Sequence, residues 1–304
     1  MPVDRSIARC FALLMGVLIV AGCSGKNQEL VSREEETQRP SEITMLKVKP
    51  SQTYGIEDLM ENPLDVDGFR VEVRQGNLGE DDGSLQLSVK IGGATLFKRE
   101  VGVYSQLFLF DLNRDDKPEL YLEDFSGGAH CCYQHIILAL QPDAGKVQVL
   151  LDWDGRDVSL DGTDSYFAHF YDSEYANLVT YDARFAYFDY SFAASTFPLK
   201  IFTYTDGKYR AATADFPELV RETYNRRLME YEDAIDEFDQ AGDAFLAENL
   251  RAQALELYVY AVLLNEEPKA IEEIGRAGKA GEDIRKWLVG NTAEIEELII
   301  QSPY

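Results

Sequence analysis

Residues 107–140 read LFLFDLNRDDKPELYLEDFSGGAHCCYQHIILAL. The runs LFLF, PELYL and IILAL are short, apolar and separated by polar turns, which predicts three strands. The first turn is rich in oxygen. Asp111, Asn113, Asp115 and Glu119 stand at positions 1, 3, 5 and 9 of it. Hard cations such as Ca²⁺ take six to eight oxygen ligands, and alternate acidic residues on a tight turn supply them. Lys117, at position 7, would add its backbone carbonyl. Loops of this kind usually carry Gly at position 6. Here it is Asp116, a residue that tolerates left-handed backbone better than most. Two readings therefore stand: a Ca²⁺ loop between two strands, or an ordinary acidic turn.

The same pattern extends on both sides. FRVEV, LQLSVKI, VQVLLDW, NLVTY and LKIFTY are further runs of β-branched and aromatic residues. Leu85, Leu87, Val89 and Ile91 alternate with polar residues, which predicts a strand with one buried face. Gly92-Gly93 and Asp206-Gly207 have the residues that two-residue hairpins need. Aligning PELYLED with ANLVTYD suggests an internal repeat. It puts His169, Tyr171 and Ser173 where Asp111, Asn113 and Asp115 stand, so the second copy would lack the carboxylates.

After Thr213 the period changes. Asp215-Phe216-Pro217-Glu218 reads as a helix start, with Asp215 as cap and Pro217 in the first turn. Val220, Tyr224, Leu228, Tyr231, Ile235 and Phe238 form an apolar stripe at helical steps. Gly242-Asp243 ends that helix and restarts another, with Leu246, Leu250, Ala254, Leu257, Ala261 and Leu264 as its stripe. Shorter helices are expected over 268–277, 282–289 and 292–300, the last capped by Asn291. The fold class expected is α+β: an N-terminal β-rich antiparallel domain over 43–213, a sandwich or partial propeller, followed by an α-helical bundle over 214–304.

The N-terminus carries an address. Arg5 and Arg9 precede an apolar run, Phe11 to Val20, too short to span a bilayer. It ends Val20-Ala21-Gly22-Cys23, which resembles a lipoprotein signal peptidase box. Residues 1–22 are then the signal peptide, and Cys23 takes a diacylglycerol. Ser24 is not the Asp that resembles an inner-membrane retention signal, so the expected place is the bacterial outer membrane, lipid-anchored and facing periplasm or cell surface. Residues 23–42 are polar and aperiodic, a flexible tether. A net charge of −25 argues against nucleic acid, whose phosphates need Lys and Arg.

Two stretches resemble known proteins. DLNRDDKPELYL resembles the D-x-D-x-D-G-x-x-E-L core of FG-GAP/VCBS-type bacterial surface proteins. SGGAHCC resembles a motif that follows that core in a group of uncharacterised secreted bacterial proteins and lipoproteins. NLVTYDARFAYFDYSFAASTFPLKIFTYTDGKYR resembles the second half of that group, through T-x-D-x-R-F-x-Y and A-S-x-x-P. The resemblance runs from about Gln106 to the C-terminus. It implies a secreted β-rich protein and no defined activity.

Other chemistry is less marked. His130-Cys131-Cys132-x-x-His135 offers soft ligands for Zn²⁺ or copper. Consecutive residues in a strand alternate faces, however, and do not readily meet at one ion. Cys131 and Cys132 are alternatively a strained vicinal disulfide with redox character, or two small buried side chains. No G-x-S-x-G elbow and no phosphate-binding loop is present. FAYFDYSF, residues 185–192, is either a stacking surface for sugar or peptide, or core. The function expected is a non-enzymatic envelope lipoprotein, a binding or scaffold module with an envelope protein or glycan as partner. The rivals are an envelope hydrolase acting on glycan or peptide, and a thiol redox or metal-handling protein.

Overall fold

The structure is a computed structural model of the chain. It describes residues 45–76, 85–125, 133–157, 165–171, 173–301 and 304, with backbone alone at 154–157. The chain divides into two compact units, Met1–Ser41 and Glu42–Tyr304. The described residues belong to the second. Residues 1–22, read above as a signal peptide, Cys23 and the whole stretch to residue 42 read as a tether, and His130, Cys131 and Cys132 lie outside them.

Three antiparallel sheets and a helical layer stack on one another. The outer sheet is β3 (Leu64–Val66), β4 (Phe69–Gln75), β5 (Leu85–Ile91) and β6 (Ala94–Val101), in that order. The middle sheet runs β10 (Lys146–Asp157), β9 (Tyr133–Gln141), β8 (Glu119–Phe125), β7 (Gln106–Phe110) and β2 (Gln52–Gly55). The inner sheet runs β1 (Met45–Val48), β11 (Tyr166–Phe170), β12 (Asn177–Tyr181), β13 (Leu199–Thr205) and β14 (Lys208–Ala211). A single helical turn, α1 (Asp58–Glu61), tucks Leu59 into the outer core. The chain then becomes helical: α2 (Pro217–Ala241), α3 (Ala244–Leu264), α4 (Glu267–Arg276) and α5 (Gly281–Gln301). The fold is thus α+β, with antiparallel sheets first and helices after. Among the described residues no helix is long and apolar enough to cross a membrane.

Strand periodicity explains the stacking. Successive side chains point to opposite faces. In the middle sheet Leu107, Leu109, Leu120, Leu122, Ile136 and Leu138 meet the outer sheet, while Phe110, Tyr121 and Ile137 meet the inner one. Every residue of β8 from Glu119 to Asp124 is therefore buried. The inner sheet turns Phe167, Leu178 and Phe202 to the middle sheet, and Ala168, Phe170, Val179 and Ile201 to the helices. The outer sheet keeps one face wet. There Lys90 and Arg74 ion-pair with Glu72 at 2.5 and 2.9 Å.

The repeat is visible in the strand register. Phe110 pairs with Glu119 across β7–β8, and Ala168 with Asn177 across β11–β12. From 110 to 168 and from 119 to 177 the displacement is the same, 58 residues. Each hairpin continues into a second one, β9–β10 or β13–β14, and each takes one early strand, β2 or β1, against its first strand. The middle and inner sheets are thus two copies of a four-stranded meander, packed face to face. Gly92-Gly93 (φ +53° and +87°) and Asp206-Gly207 (φ +53° and +82°) make the tight turns expected of them.

Three helical expectations need correcting. Asp215 does not cap α2. It closes a 3-10 turn, Thr213–Asp215, that runs directly into the helix, and Phe216 takes the cap position with Pro217 next. Asn291 starts no helix, because α5 is continuous through it and its side chain donates to the Trp287 carbonyl at 2.7 Å. The stripe of α3 is not a stripe. From Ala254 to Ala261 every residue is buried, since this helix touches α2, α4, α5 and the loop before β13. Gly242 and Asp243 behave as expected. Gly242 is left-handed at φ +64°, and the Asp243 carboxylate accepts the Phe245 and Leu246 amides at 2.8 and 3.2 Å.

Candidate functional site

The turn between β7 and β8 is curled by its own side chains. Asp111 accepts the Asp115 amide through Oδ1 (3.1 Å) and the Asp116 amide through Oδ2 (3.2 Å). Asn113 Oδ1 also accepts the Asp115 amide at 3.1 Å, and Asp115 Oδ1 accepts the Lys117 amide at 2.9 Å. Glu119 reaches back from the first position of β8 to accept the Leu112 amide at 2.8 Å. Asp116 is left-handed, φ +62°, as its place in the turn requires, and so is Arg114, φ +60°. The oxygens of positions 1, 3, 5 and 9 thus all turn inward onto the turn's own amides. Among the described residues, no three His, Cys, Asp or Glu side chains converge closely enough to hold a metal as they stand.

Glu119 is the unusual member. It is only 4% exposed, and burial pushes its carboxyl up to about 7, with the neighbouring charges of Asp115 and Asp111 adding to the rise. Burial and the charges of Asp115 and Asp111 thus both disfavour the ionised form of Glu119.

The second copy of the turn packs against the first. The Ala176 amide donates to the Leu112 carbonyl at 2.7 Å, and Asn113 Nδ2 donates to the Tyr175 hydroxyl at 3.1 Å. His169 and Ser173, at the places of Asp111 and Asp115, close their own turn through His169 Nδ1 and the Ser173 carbonyl, 3.0 Å apart. Beside the first turn is a cleft of about 310 Å³. Its walls are the turn itself (Asn113, Asp115, Lys117, Glu119), residues 139–144 at the β9–β10 tip, and Tyr175. Tyr175 is stacked on Tyr204, with ring centroids 3.8 Å apart.

A second polar cluster lies deeper, between the middle and inner sheets. Asp182 and Lys200 are both fully buried, with Lys200 Nζ 3.8 Å from the carboxylate and 4.3 Å from the Trp153 ring centre. Arg184 donates to Asp182 through Nε at 2.8 Å and to the Leu298 carbonyl of α5. Burial alone would raise the Asp182 carboxyl. The Arg184 hydrogen bond and the charges of Lys200 and Arg184 outweigh it and hold the group below its ordinary value. The ring of Tyr304 closes the cluster, 5.4 Å from Lys200 Nζ. His135 is completely buried nearby in β9. Its Nδ1 is 2.6 Å from the Tyr121 hydroxyl, its Nε2 has no partner among the described residues, and burial pushes its pKa down to about 4.

Sequence reasoning located the acidic turn and missed this interior cluster. Asp182 and Arg184 stand in the T-x-D-x-R-F-x-Y string, and the available signal was Lys200, a charge inside the apolar strand LKIFTY. His135 belongs to a packed hydrogen bond with Tyr121, while the cysteines once grouped with it lie outside the described residues. The run 185–192 is largely packing: Phe185 and Tyr190 are buried, and Phe188 packs edge-on to Trp287.

No family model matches the chain, and no curated protein matches it. Among solved structures, one described as a Xanthomonas type IV secretion system related protein aligns at 14% identity with a TM-score of 0.26. The alignment covers 56% of this chain and 99% of that one. A likeness at that level carries no functional argument.

Proposed function

We propose that this chain is a lipid-anchored protein of the bacterial envelope whose folded part is a binding or scaffold module, with the turn Asp111–Glu119 as a Ca²⁺ staple beside the binding surface. The observation that carries this reading is the cleft next to the turn. Concave surfaces with a few convergent polar groups are where folded proteins take partners, and here the polar groups come from a turn with cation-loop spacing. Cross-linking and affinity capture from native envelopes tests it. The full chain should capture a partner, and Asp143→Arg, which places a bulky cation in the cleft wall, should lose it. Equal capture by both would remove the cleft from the function.

Attachment through Cys23 follows from the Val-Ala-Gly-Cys box. Stable anchoring needs more than one acyl chain. Mass spectrometry of the mature N-terminus should find diacylglycerol on Cys23, and Cys23→Ser should release the protein from the membrane. A mature N-terminus elsewhere in the chain would end this part of the proposal.

The staple makes a separate prediction. Asp111, Asn113, Asp115 and Glu119 would supply side-chain oxygens and Lys117 its carbonyl. Bound Ca²⁺ would neutralise carboxylates that repel one another. For that, Asp111, Asp115 and Glu119 must exchange amide contacts for the ion, so the site is formed by binding. Extracellular modules hold Ca²⁺ with Kd of roughly 10⁻⁴–10⁻³ M. At millimolar Ca²⁺ the gain is then of order 1 kcal/mol. Thermal melts in Ca²⁺ and in chelator should differ, and Asp111→Ala should abolish the difference. Superimposable wild-type melts would make the turn merely acidic.

A further inference from the structure

The cleft beside the acidic turn suits a cation carried on an apolar stem, and we propose that it is the docking pocket for an arginine side chain of a basic partner protein. This rests on the reading of the folded part as a binding module and names what the module takes. At about 310 Å³ the space lies at the small end of ligand sites, enough for one long side chain and its neighbouring backbone but not for the edge of a folded domain.

Two carboxylates in the walls have oxygens left over. Asp143 is exposed in the 3-10 turn Pro142–Ala144, and no hydrogen bond or ion pair engages it among the described residues. Asp115 gives Oδ1 to the Lys117 amide, while its Oδ2 takes no bond among the described residues. They stand on separate loops, one before β8 and one at the β9–β10 tip. A guanidinium is a planar fork of N–H donors and can serve two carboxylates at once, which the compact ammonium of lysine does less well. The remaining wall suits the stem. Pro118 and Pro142 offer apolar surface to its methylenes, and Tyr175 supplies an aromatic ring, which attracts a guanidinium. That ring is already held by its stack on Tyr204, so little conformational freedom is lost on contact.

Charge decides between ligand classes. Lys117, exposed on the rim, is the one cation among the residues that line the cleft, against the carboxylates of Asp115 and Asp143. That balance disfavours phosphates, uronates and acidic peptides. A neutral ligand would take water from the Asp143 carboxylate and leave it without a countercharge, which is costly. A net charge of −25 adds a long-range field that draws basic partners in. Asp143 lies outside the turn, so the pocket keeps this acid whatever Asp111–Glu119 holds.

The test uses the full chain in a zwitterionic detergent with chelator, so that no divalent cation contributes. The probes are the peptide acetyl-Gly-Arg-Gly-amide, its lysine counterpart, its citrulline counterpart (a neutral urea with the shape of arginine), and spermidine as a free polyamine. Saturation-transfer NMR titration reads their binding. The arginine peptide should bind more tightly than the lysine peptide and spermidine, and the citrulline peptide should not bind. Asp143→Asn should weaken the arginine peptide about tenfold, the loss of one charged hydrogen-bond partner. Lys117→Ala should strengthen it, because the opposing charge is gone. Both side chains are exposed, so both variants should melt like the wild type. No binding of the arginine peptide, equal binding of the citrulline or lysine peptide or of spermidine, or binding indifferent to Asp143→Asn overturns the proposal. Envelope capture that Asp143→Arg abolishes, with no binding of the arginine peptide, overturns the arginine and leaves the binding-module reading. Arginine-peptide binding with the expected pattern, beside capture indifferent to Asp143→Arg, upholds the pocket and overturns its use as the capture surface.

Discussion

Replacing Asp182 by Ala should destabilise the protein by about 3–5 kcal/mol, the usual cost of removing one partner from a buried ion pair. The carboxylate is fully buried and serves Lys200 at 3.8 Å, the Arg184 guanidinium, and the Arg184 amide at 3.0 Å. Its removal leaves two cations inside the fold without the carboxylate they share. Through Arg184 it also loosens the tie to the Leu298 carbonyl, which joins the inner sheet to α5. Lys200→Met should cost less. Asp182 would keep Arg184, and a methionine suits the Trp153 and Phe202 rings that lie 4.3 and 5.8 Å from the ammonium. The pH dependence has a definite sign. Asp182 is held below its unfolded value, so its contribution is present above about pH 4 and is lost as pH falls through the folded value. Urea melts of both variants decide the matter. A loss under 1 kcal/mol for Asp182→Ala would mean that the cluster is not an anchor.

The second large effect is a pH dependence of stability that appears only with Ca²⁺. His135 resists protonation until about pH 4, whereas the unfolded chain takes the proton near 6.5, so its contribution falls as pH drops through that window. Glu119 is opposite. The folded protein keeps its proton until about pH 7 while the unfolded chain releases it near 4.5, so its contribution falls as pH rises. Each spans a shift worth on the order of 3 kcal/mol, and the windows overlap. In chelator the two slopes should largely cancel between about pH 4.5 and 6.5. A cation that holds Glu119 ionised removes the second slope, and stability should then rise towards neutral pH by on the order of 3 kcal/mol. Glu119→Gln should show the rising curve in Ca²⁺ and chelator alike. Chemical denaturation across pH measures all three, and parallel wild-type curves with and without Ca²⁺ would refute the coupling of Glu119 to a cation.

Strand and turn positions were readable because their causes are local. Leu85, Leu87 and Val89 alternate because a strand has period two, and Asp206-Gly207 turns because those residues accept positive φ. The acidic turn was readable for the same reason, since Asp111, Asn113, Asp115 and Glu119 act on amides within a few residues of themselves. Asp182, Lys200 and His135 were not readable as a site. Asp182 has Arg184 two residues on, but Lys200 and the Tyr121 partner of His135 stand on other strands, Arg184 reaches α5 more than a hundred residues away, and no spacing in the sequence encodes which strand will lie opposite.

The sequence by itself determined that this protein is antiparallel strands followed by helices, that one turn between strands gathers carboxylates, and that a later segment repeats it without them. Tertiary structure alone decided which elements are interior on both sides. The middle strands and residues 254–261 of α3 look alike to a periodicity argument, because burial on both sides erases the alternation that marks a one-sided face. Packing also placed Tyr175 of the second copy against the turn of the first, across a register shared by two hairpins 58 residues apart. The cleft exists only because those two copies are stacked, and stacking is settled by the apolar area buried between sheets.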